Sequence, residues 1–495
     1  MRFLLPTLLA LFATTTVAAE DRYRVTLEPA WRDGPAAVSV EVCFDGDPPH
    51  ELHRSSAAAA FTIRITGPGG PILNHDRHGR LRLGELPDNA CVSWQVDLAR
   101  AAAEGDSRLA LNAAGAVVSD GDLWFWRDGD RRRVRVDVSA PPGVRFSTPW
   151  PEIAAPEKLP PAANTTRRFA PEPTSAWWTS RIAIGRFHER RLAVPGGHLR
   201  LAVLGVDHAS DVDRYAAWIR ETALSVASVT GAFPQKNPQV LIITLGPQGE
   251  PVPWAHVIRG GGVAAELFVD RSASLDTLRA DWTATHELSH LLLPYVTRRD
   301  RWLSEGLASY YQNVLRARDG RLDEQRAWEK LNSGFKRGER ATRGGTLASA
   351  TRAGRSATMR IYWSGAAMML KADARLRALS NGRQSLDTAL AALHECCHDP
   401  TRRWSAHELF TRLDRLTGHR VFADLYDEHV MDEAFPDVSE TYRRLGVVPG
   451  WRGLRLEPDA PWSRIRHFIM NTPGMNTQEP GAPADPHRER ASEGP

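Results

Sequence analysis

The chain has 495 residues, 42% of them hydrophobic, which is enough for several cores and about three domains by the usual size relation. Its 63 basic and 59 acidic residues nearly cancel, so it lacks the polycationic surface of a nucleic-acid binder, and no nucleic-acid partner is expected. Four cysteines are too few for a disulfide scaffold and fit an oxidising compartment.

Residues 1–19 read as an export signal: Arg2 is the positive charge, Phe3 to Phe12 the apolar core, and Val17-Ala18-Ala19 the small-residue cleavage site. The expected product starts at Glu20 and is periplasmic or secreted. No later run approaches the roughly 18 apolar residues of a membrane span. From 20 to 147 the hydrophobic period is two (RYRVTL, VSVEVCF, FTIRIT, CVSWQV, then LWFW and VRVDV across Asp128-Gly129), which predicts an N-terminal β-sandwich. Cys43 and Cys91 both lie opposite the apolar row of their strands, so a bridge between them is expected.

Residues 148–175 are rich in proline and predict an extended linker. A catalytic domain is expected over 176–345, a helical domain over 346–450, and an extension with a disordered tail over 451–495. Within the catalytic part the pattern gives strands in RIAIGRF and HLRLAVLGV, a helix over Val212–Val229, a strand over Val240–Thr244, and a strand ending at Asp270. Ser274 or Asp276 is placed to cap a following helix, which Leu278, Trp282, Leu288 and Leu291–Leu293 make apolar and Pro294 ends.

That helix carries His286-Glu287-Leu288-Ser289-His290. Histidines four apart on a helix are offset by about 40°, so both rings leave one face and can share an ion, with Glu287 beside it. Three fixed positions in five arise by chance in long chains, so a third ligand has to decide. Fifteen positions past His290 (305 minus 290) stands Glu305 in RWLSEGLASYY, near the start of another amphipathic helix. Two histidines, one carboxylate and an open fourth position are the ligand set of a hydrolytic zinc site.

In these motifs the chain resembles the gluzincin metallopeptidases, especially the glycyl-aminopeptidase branch and, more distantly, the aminopeptidase N branch. The resemblance runs from about 176 to 450 and includes IYWSGAAMMLKADARLRALSNGRQSLDTAL, similar to the family segment Y-x-x-G with its long helix. It implies an α+β multidomain fold: an N-terminal β-sandwich, a thermolysin-like zinc peptidase core and a C-terminal α-helical domain. It implies one zinc ion per chain on His286, His290 and Glu305, Glu287 as the catalytic carboxylate, Tyr362 as hydrogen-bond donor to the oxyanion, and a peptide or protein substrate. A core aromatic is the structural alternative for Tyr362.

Two departures stand out. The family's basic residue two after the tyrosine is Ser364 here, and the glutamate that holds the substrate's free amine falls on Ala264 when Gly261-Gly262 are matched to the family glycines. Glu266 could take that role only with a two-residue register slip, which keeps its facing. Gly260, Gly261 and Gly262 would let a substrate backbone approach the strand, or form only a flexible loop. The arginine-rich stretch 333–360 is expected to be a long loop whose charge favours carboxylate-bearing substrates. Ser309 is either support for a ligand or an exposed serine. His394, Cys396, Cys397 and His398 (HECCH) look metal-like, although a helix end explains them as well. An aminopeptidase is favoured over an endopeptidase, and an inert peptide- or envelope-binding protein is the contrasting class.

Overall fold

The computed structural model describes residues 20–471 apart from 28–36, 105, 114, 129–132, 154–164, 173–178, 398, 400–401 and 452. The expected export signal, the Asp128-Gly129 turn and the tail beyond 471 therefore lie outside the described residues. Two units emerge, dividing mainly at Gly185 and Arg186.

In the first unit β1 (Glu20–Leu27) pairs antiparallel with β2 (Ala37–Cys43), which pairs antiparallel with β3 (Cys91–Asp97). β1 also runs parallel to β4 (Arg133–Ala140), and β5 (Thr165–Phe169) is antiparallel to β4. Alternate residues Tyr23, Val25, Val38, Val40, Val92 and Trp94 are buried, as a sheet with one packed face requires. The β2–β3 register sets Cys43 opposite Cys91, and the two are bonded, as expected.

Two expectations change here. Leu123–Trp126 is not a hairpin strand: 121–123 form a 3₁₀ turn, and Trp124, Phe125 and Trp126 are all buried, so no alternation survives. The expected linker also contributes strands, since Glu152–Ile153 and β5 extend the sheet of β1 and β4. Only Phe169 is apolar in the sequence TTRRF. β5 is secured instead by charge, Arg168 donating to both carboxylate oxygens of Asp137 at 2.6 and 2.8 Å. Arg181–Gly185, which reads as the start of the catalytic domain, belongs to a second sheet of this unit beside Ala116–Asp120.

The second unit is built on a five-stranded sheet in the order β6 (His188–Val194), β7 (Gly197–Leu204), β8 (Gln239–Leu245), β10 (Val263–Asp270) and, at the edge, β9 (Trp254–Arg259). β7, β8 and β10 are mutually parallel, and β9 is antiparallel. Helix α1 (Ala209–Thr230) makes the crossover between β7 and β8. Val263, Ala265, Leu267 and Val269 of β10 join the core shared with the helices. Ala264, Glu266 and Phe268 must then leave the opposite face.

The segment after β10 is two helices where the sequence suggests one. Ser274 caps α2 (Leu275–Ala280), accepting from the Thr277 amide at 3.1 Å. The chain then turns, and α3 (Thr283–Ser289) restarts with Asp281 accepting from the Thr283 amide at 2.7 Å. Trp282, at the break, is 45% exposed rather than a core residue. His290 opens a 3₁₀ turn that ends at Leu292.

Helices α4 (Arg301–Arg318), α5 (Glu324–Arg340), α6 (Thr358–Leu379) and α7 (Leu386–Cys397) follow. The stretch 333–360 is thus mostly helical, and the connection from α5 to α6, residues 341–357, itself carries the short helix Leu347–Ala350 and a 3₁₀ turn over Gly354–Ala357. Arg360 is buried and donates to the carbonyls of Gly344, Gly345 and Glu433, which pins that connection. One hydrophobic core runs from Leu192 to Met470, so the expected boundary at 345–346 is not a break in packing. The helix Ser463–Asn471 buries Ile469 and Met470 in it. Among the described residues no helix is long and apolar enough to cross a membrane.

α4 and α6 touch through glycine. A Cβ on Gly306 would lie 2.3 Å from the Gly365 Cα, and one on Gly365 would lie 2.1 Å from the Trp302 carbonyl oxygen. Gly365→Ala should therefore force the helices apart and cost at least about 1–3 kcal/mol, read as a lower denaturant midpoint at unchanged slope. An unchanged midpoint would mean that the contact is not as tight as this.

Candidate metal centre

α3 and the 3₁₀ turn that continues it present His286 and His290 on one side, and α4 brings Glu305 to them from its first turns. Glu305 Oε2 lies 3.4 Å from His286 Nε2 and 3.5 Å from His290 Nε2. The three donor atoms lie within 4.8 Å of one another. A tetrahedral zinc ion with bonds of about 2.0–2.1 Å holds its ligands roughly 3.3 Å apart, so the carboxylate-to-imidazole distances fit such an ion.

The far ring nitrogens are also held. His286 Nδ1 is 2.8 Å from Gln312 Oε1, which can only accept, so the proton sits on Nδ1 and leaves Nε2 free to ligate. His290 Nδ1 is 2.9 Å from Ser304 Oγ, which suits the same tautomer. Neither Gln312 nor Ser304 stands out in the sequence alone, yet both were legible in principle. Ser304 precedes Glu305, and Gln312 is seven positions on, two turns along the same face of α4.

Protonation follows burial and neighbours. Burial holds His290 neutral, down to about 4. Burial alone would raise Glu305, but His290 and His286 outweigh it and draw the carboxyl down to about 2. A neutral imidazole and an ionised carboxylate are the forms a metal takes up. Burial opposes a proton on His286, yet Glu305 and Glu287 beside it win and raise it. Glu287 is raised to about 7, chiefly by burial, against the pull of His286, His256 and the Val257 amide. The edge strand β9 thus lies alongside this carboxyl, and Arg259 at its end donates to the carbonyls of His290 and Leu293 at 2.8 and 2.9 Å.

Tyr362 reaches the centre from α6. Its ring stacks on His286 at 5.7 Å with planes 7° apart, and its hydroxyl faces Glu305. Burial and the Glu305 charge raise it well above the usual phenol range, so it is a donor at any ordinary pH. It is not simply a core aromatic. Ser364, where the family carries a basic residue, is buried, and its hydroxyl has no hydrogen-bond partner among the described residues. Ser309 is buried rather than exposed, and lines a cavity next to Tyr362.

The expected substrate residues lie elsewhere. Gly260, Gly261 and Gly262 are the buried turn between β9 and β10, neither an open strand nor a loose loop. Gly261 and Gly262 have positive φ, and a Cβ on Gly262 would lie 2.2 Å from the Pro149 carbonyl oxygen. These glycines are needed for the turn itself. Glu266 is fully buried on the β10 face turned away from the helices, 3.1 Å from His256 Nε2, and is not part of the histidine group. Cys396 and Cys397 are bonded to each other, which removes both thiols from metal binding. His398 lies outside the described residues.

This is the fold of the M1 zinc metallopeptidases. An aminopeptidase N family protein from Idiomarina loihiensis superposes with a TM-score of 0.67 at 14% identity, over 87% of this chain and 80% of that one. The M1 zinc metallopeptidase from Deinococcus radiodurans superposes with a TM-score of 0.54 at 16% identity, over 85% and 95%. No family model and no curated protein matches the sequence.

If the ring nitrogens are held as described, Gln312→Ala should weaken zinc affinity by about 10- to 100-fold. Competition against a coloured chelator reads this directly. Wild-type affinity in the variant would show that Gln312 does not orient His286.

Proposed function

We propose that the chain is an exported zinc-dependent peptidase that acts as an aminopeptidase. The observation that carries this is the convergence of His286, His290 and Glu305 with Glu287 and Tyr362 at their side. Zinc, when bound by the three donors, lowers the pKa of its water toward neutrality and polarises a carbonyl.

The protein's own groups do the rest. Glu287 takes the proton from the attacking water and passes it to the leaving amine, a task that suits a carboxyl tuned near neutrality. Tyr362 donates to the oxyanion that forms on the peptide carbonyl. β9 is an edge strand, and an extended peptide can add to its outer rim beside Glu287. Support for a peptide substrate comes also from a Deinococcus radiodurans neighbour of the same fold, TM-score 0.53, whose structure holds a Tyr-Ser-Ala substrate. Export rests on the sequence of residues 1–19, in keeping with the Cys43–Cys91 bond of an oxidising compartment.

A second reading, an endopeptidase of the same fold, draws on Ala264 at the amine-anchor position and on the full burial of Glu266, which pairs with His256 at 3.1 Å. Without a carboxylate to meet the ammonium, selection of a free N-terminus weakens. Mass spectrometry of one peptide with a free N-terminus and its acetylated twin separates the cases. Trimming of the free peptide alone supports the aminopeptidase, and internal cuts in both mean an endopeptidase. Cutting of neither would sink the peptidase reading and leave an inert binder.

Two variants complete the test. Glu287→Gln should abolish cleavage while zinc stays bound. Tyr362→Phe should lose about 10² to 10³ in kcat, and retention of full rate would remove the tyrosine from the chemistry.

A further inference from the structure

A cavity of ≈ 470 Å³ opens beside the metal centre, between α4, α5 and α6. Gln312, which bonds His286, and Tyr362, whose ring stacks on His286, form one wall of it, and the others carry Arg316, Arg326, Lys330 and Arg337. Glu329 is the one carboxylate in the lining, and Arg326 occupies it at 3.0 Å.

Three cations are left over. Arg316, Lys330 and Arg337 form no ion pair among the described residues. Arg316 is only 3% exposed and donates to the Ala280 carbonyl, while its Nε finds no partner. Arg337 lies over the Trp363 ring at 5.0 Å, which holds its guanidinium in place. Lys330 is held below its usual range by burial and by Arg316, Arg326 and Arg337 around it. Arg316 is buried, Lys330 part-buried and Arg337 exposed at the rim, so like charges gather in one cleft where they repel one another, and an arriving anion would relieve that repulsion.

We infer that this cavity is a subsite for a substrate carboxylate, so that peptides bearing an acidic side chain or a free C-terminal carboxylate close to the scissile bond are preferred. The inference rests on the peptidase reading for its setting. Tyr362 borders both the histidine group and the cavity, and a carboxylate is the anion that peptides carry. Two planar guanidinium groups and one ammonium suit it, since an arginine fork can bind both of its oxygens.

Four peptides of one sequence provide the test, with glutamate or glutamine at a single position and a free or amidated C-terminus. In the wild type kcat/KM should favour one carboxylate-bearing form over its neutral twin by about tenfold or more. The ratio should fall toward one in the double variant Lys330→Gln, Arg337→Gln, and Lys330→Glu should favour a lysine-bearing peptide instead. Because each ratio is taken within one protein, a lower folded fraction cancels. Which pair of peptides shows the preference tells a side-chain carboxylate from a terminal one.

Binding of the same peptides to Glu287→Gln protein, read by calorimetric titration, needs no turnover. Equal affinities for all four, unchanged by the double variant, would overturn the subsite. If the wild type cuts none of the peptides, the peptidase reading fails, and the titration alone decides whether the cavity selects a carboxylate.

Discussion

The site depends on two helices meeting without side chains between them. Gly306 follows Glu305, and Gly365 stands three positions after Tyr362, one helical turn on. Where these glycines touch, α4 and α6 approach closely enough for the Tyr362 hydroxyl to face the Glu305 carboxylate and for its ring to cover His286. A pair of larger residues would separate the third ligand from the tyrosine. The glycine of WLSEG and the glycine of Y-x-x-G are therefore two halves of one contact.

Beneath that contact the helices are locked by a buried polar network. Asp373 of α6 is fully buried and accepts from the Tyr310 hydroxyl at 2.8 Å, the Arg377 guanidinium at 2.9 Å and the Leu386 amide at 2.9 Å. Asp387 of α7 accepts from Tyr311 at 2.6 Å and pairs with Arg318 at 3.0 Å. Burial would raise Asp373, but Arg377, the Leu386 amide and Arg318 reverse that and depress it. Its contribution to stability is accordingly complete above the ordinary carboxylate range and is lost as pH falls through the depressed value. Such a network specifies one arrangement of α4, α6 and α7, since displacing any member leaves a buried charge unmatched. The metal centre thus stands on a foundation that is polar as well as packed.

What could be seen in the sequence follows from how local each signal is. His286 and Glu287 lie in α3 and His290 directly follows it with helical backbone, so helical geometry sets them together. Glu305 is fifteen residues on but opens the next long helix, so a carboxylate in WLSEG can be placed beside the pair. The Cys43–Cys91 bond follows from strand facing. The break at Asp281–Trp282 was hidden because apolar residues continue through it, and only the second cap, Asp281 on Thr283, marks it. β5 was hidden because TTRRF has no apolar alternation, its pairing resting on Arg168 and Asp137. The stretch 333–360 looked like a loop because its glycines and arginines suggest one. In the fold, Gly334 and Gly338 are instead the places where α5 lies against Trp363, leaving no room for a Cβ.

The same division separates the reacting groups from the groups that choose a substrate. The candidate ligands and Glu287 are fixed by short spacings, which a chain can keep while nearly everything around them drifts; neighbours at 14–16% identity share the fold. The cationic cavity is assembled differently. Arg326, Lys330 and Arg337 follow one face of α5 at helical intervals of four and seven, but that face is an ordinary solvated stripe until α4 and α6 close over it with Arg316, Gln312 and Tyr362. Charge at such a place costs stability, because the groups are partly desolvated and repel one another. A fold carries that cost most readily where an anion arrives to neutralise it, and here the place adjoins His286.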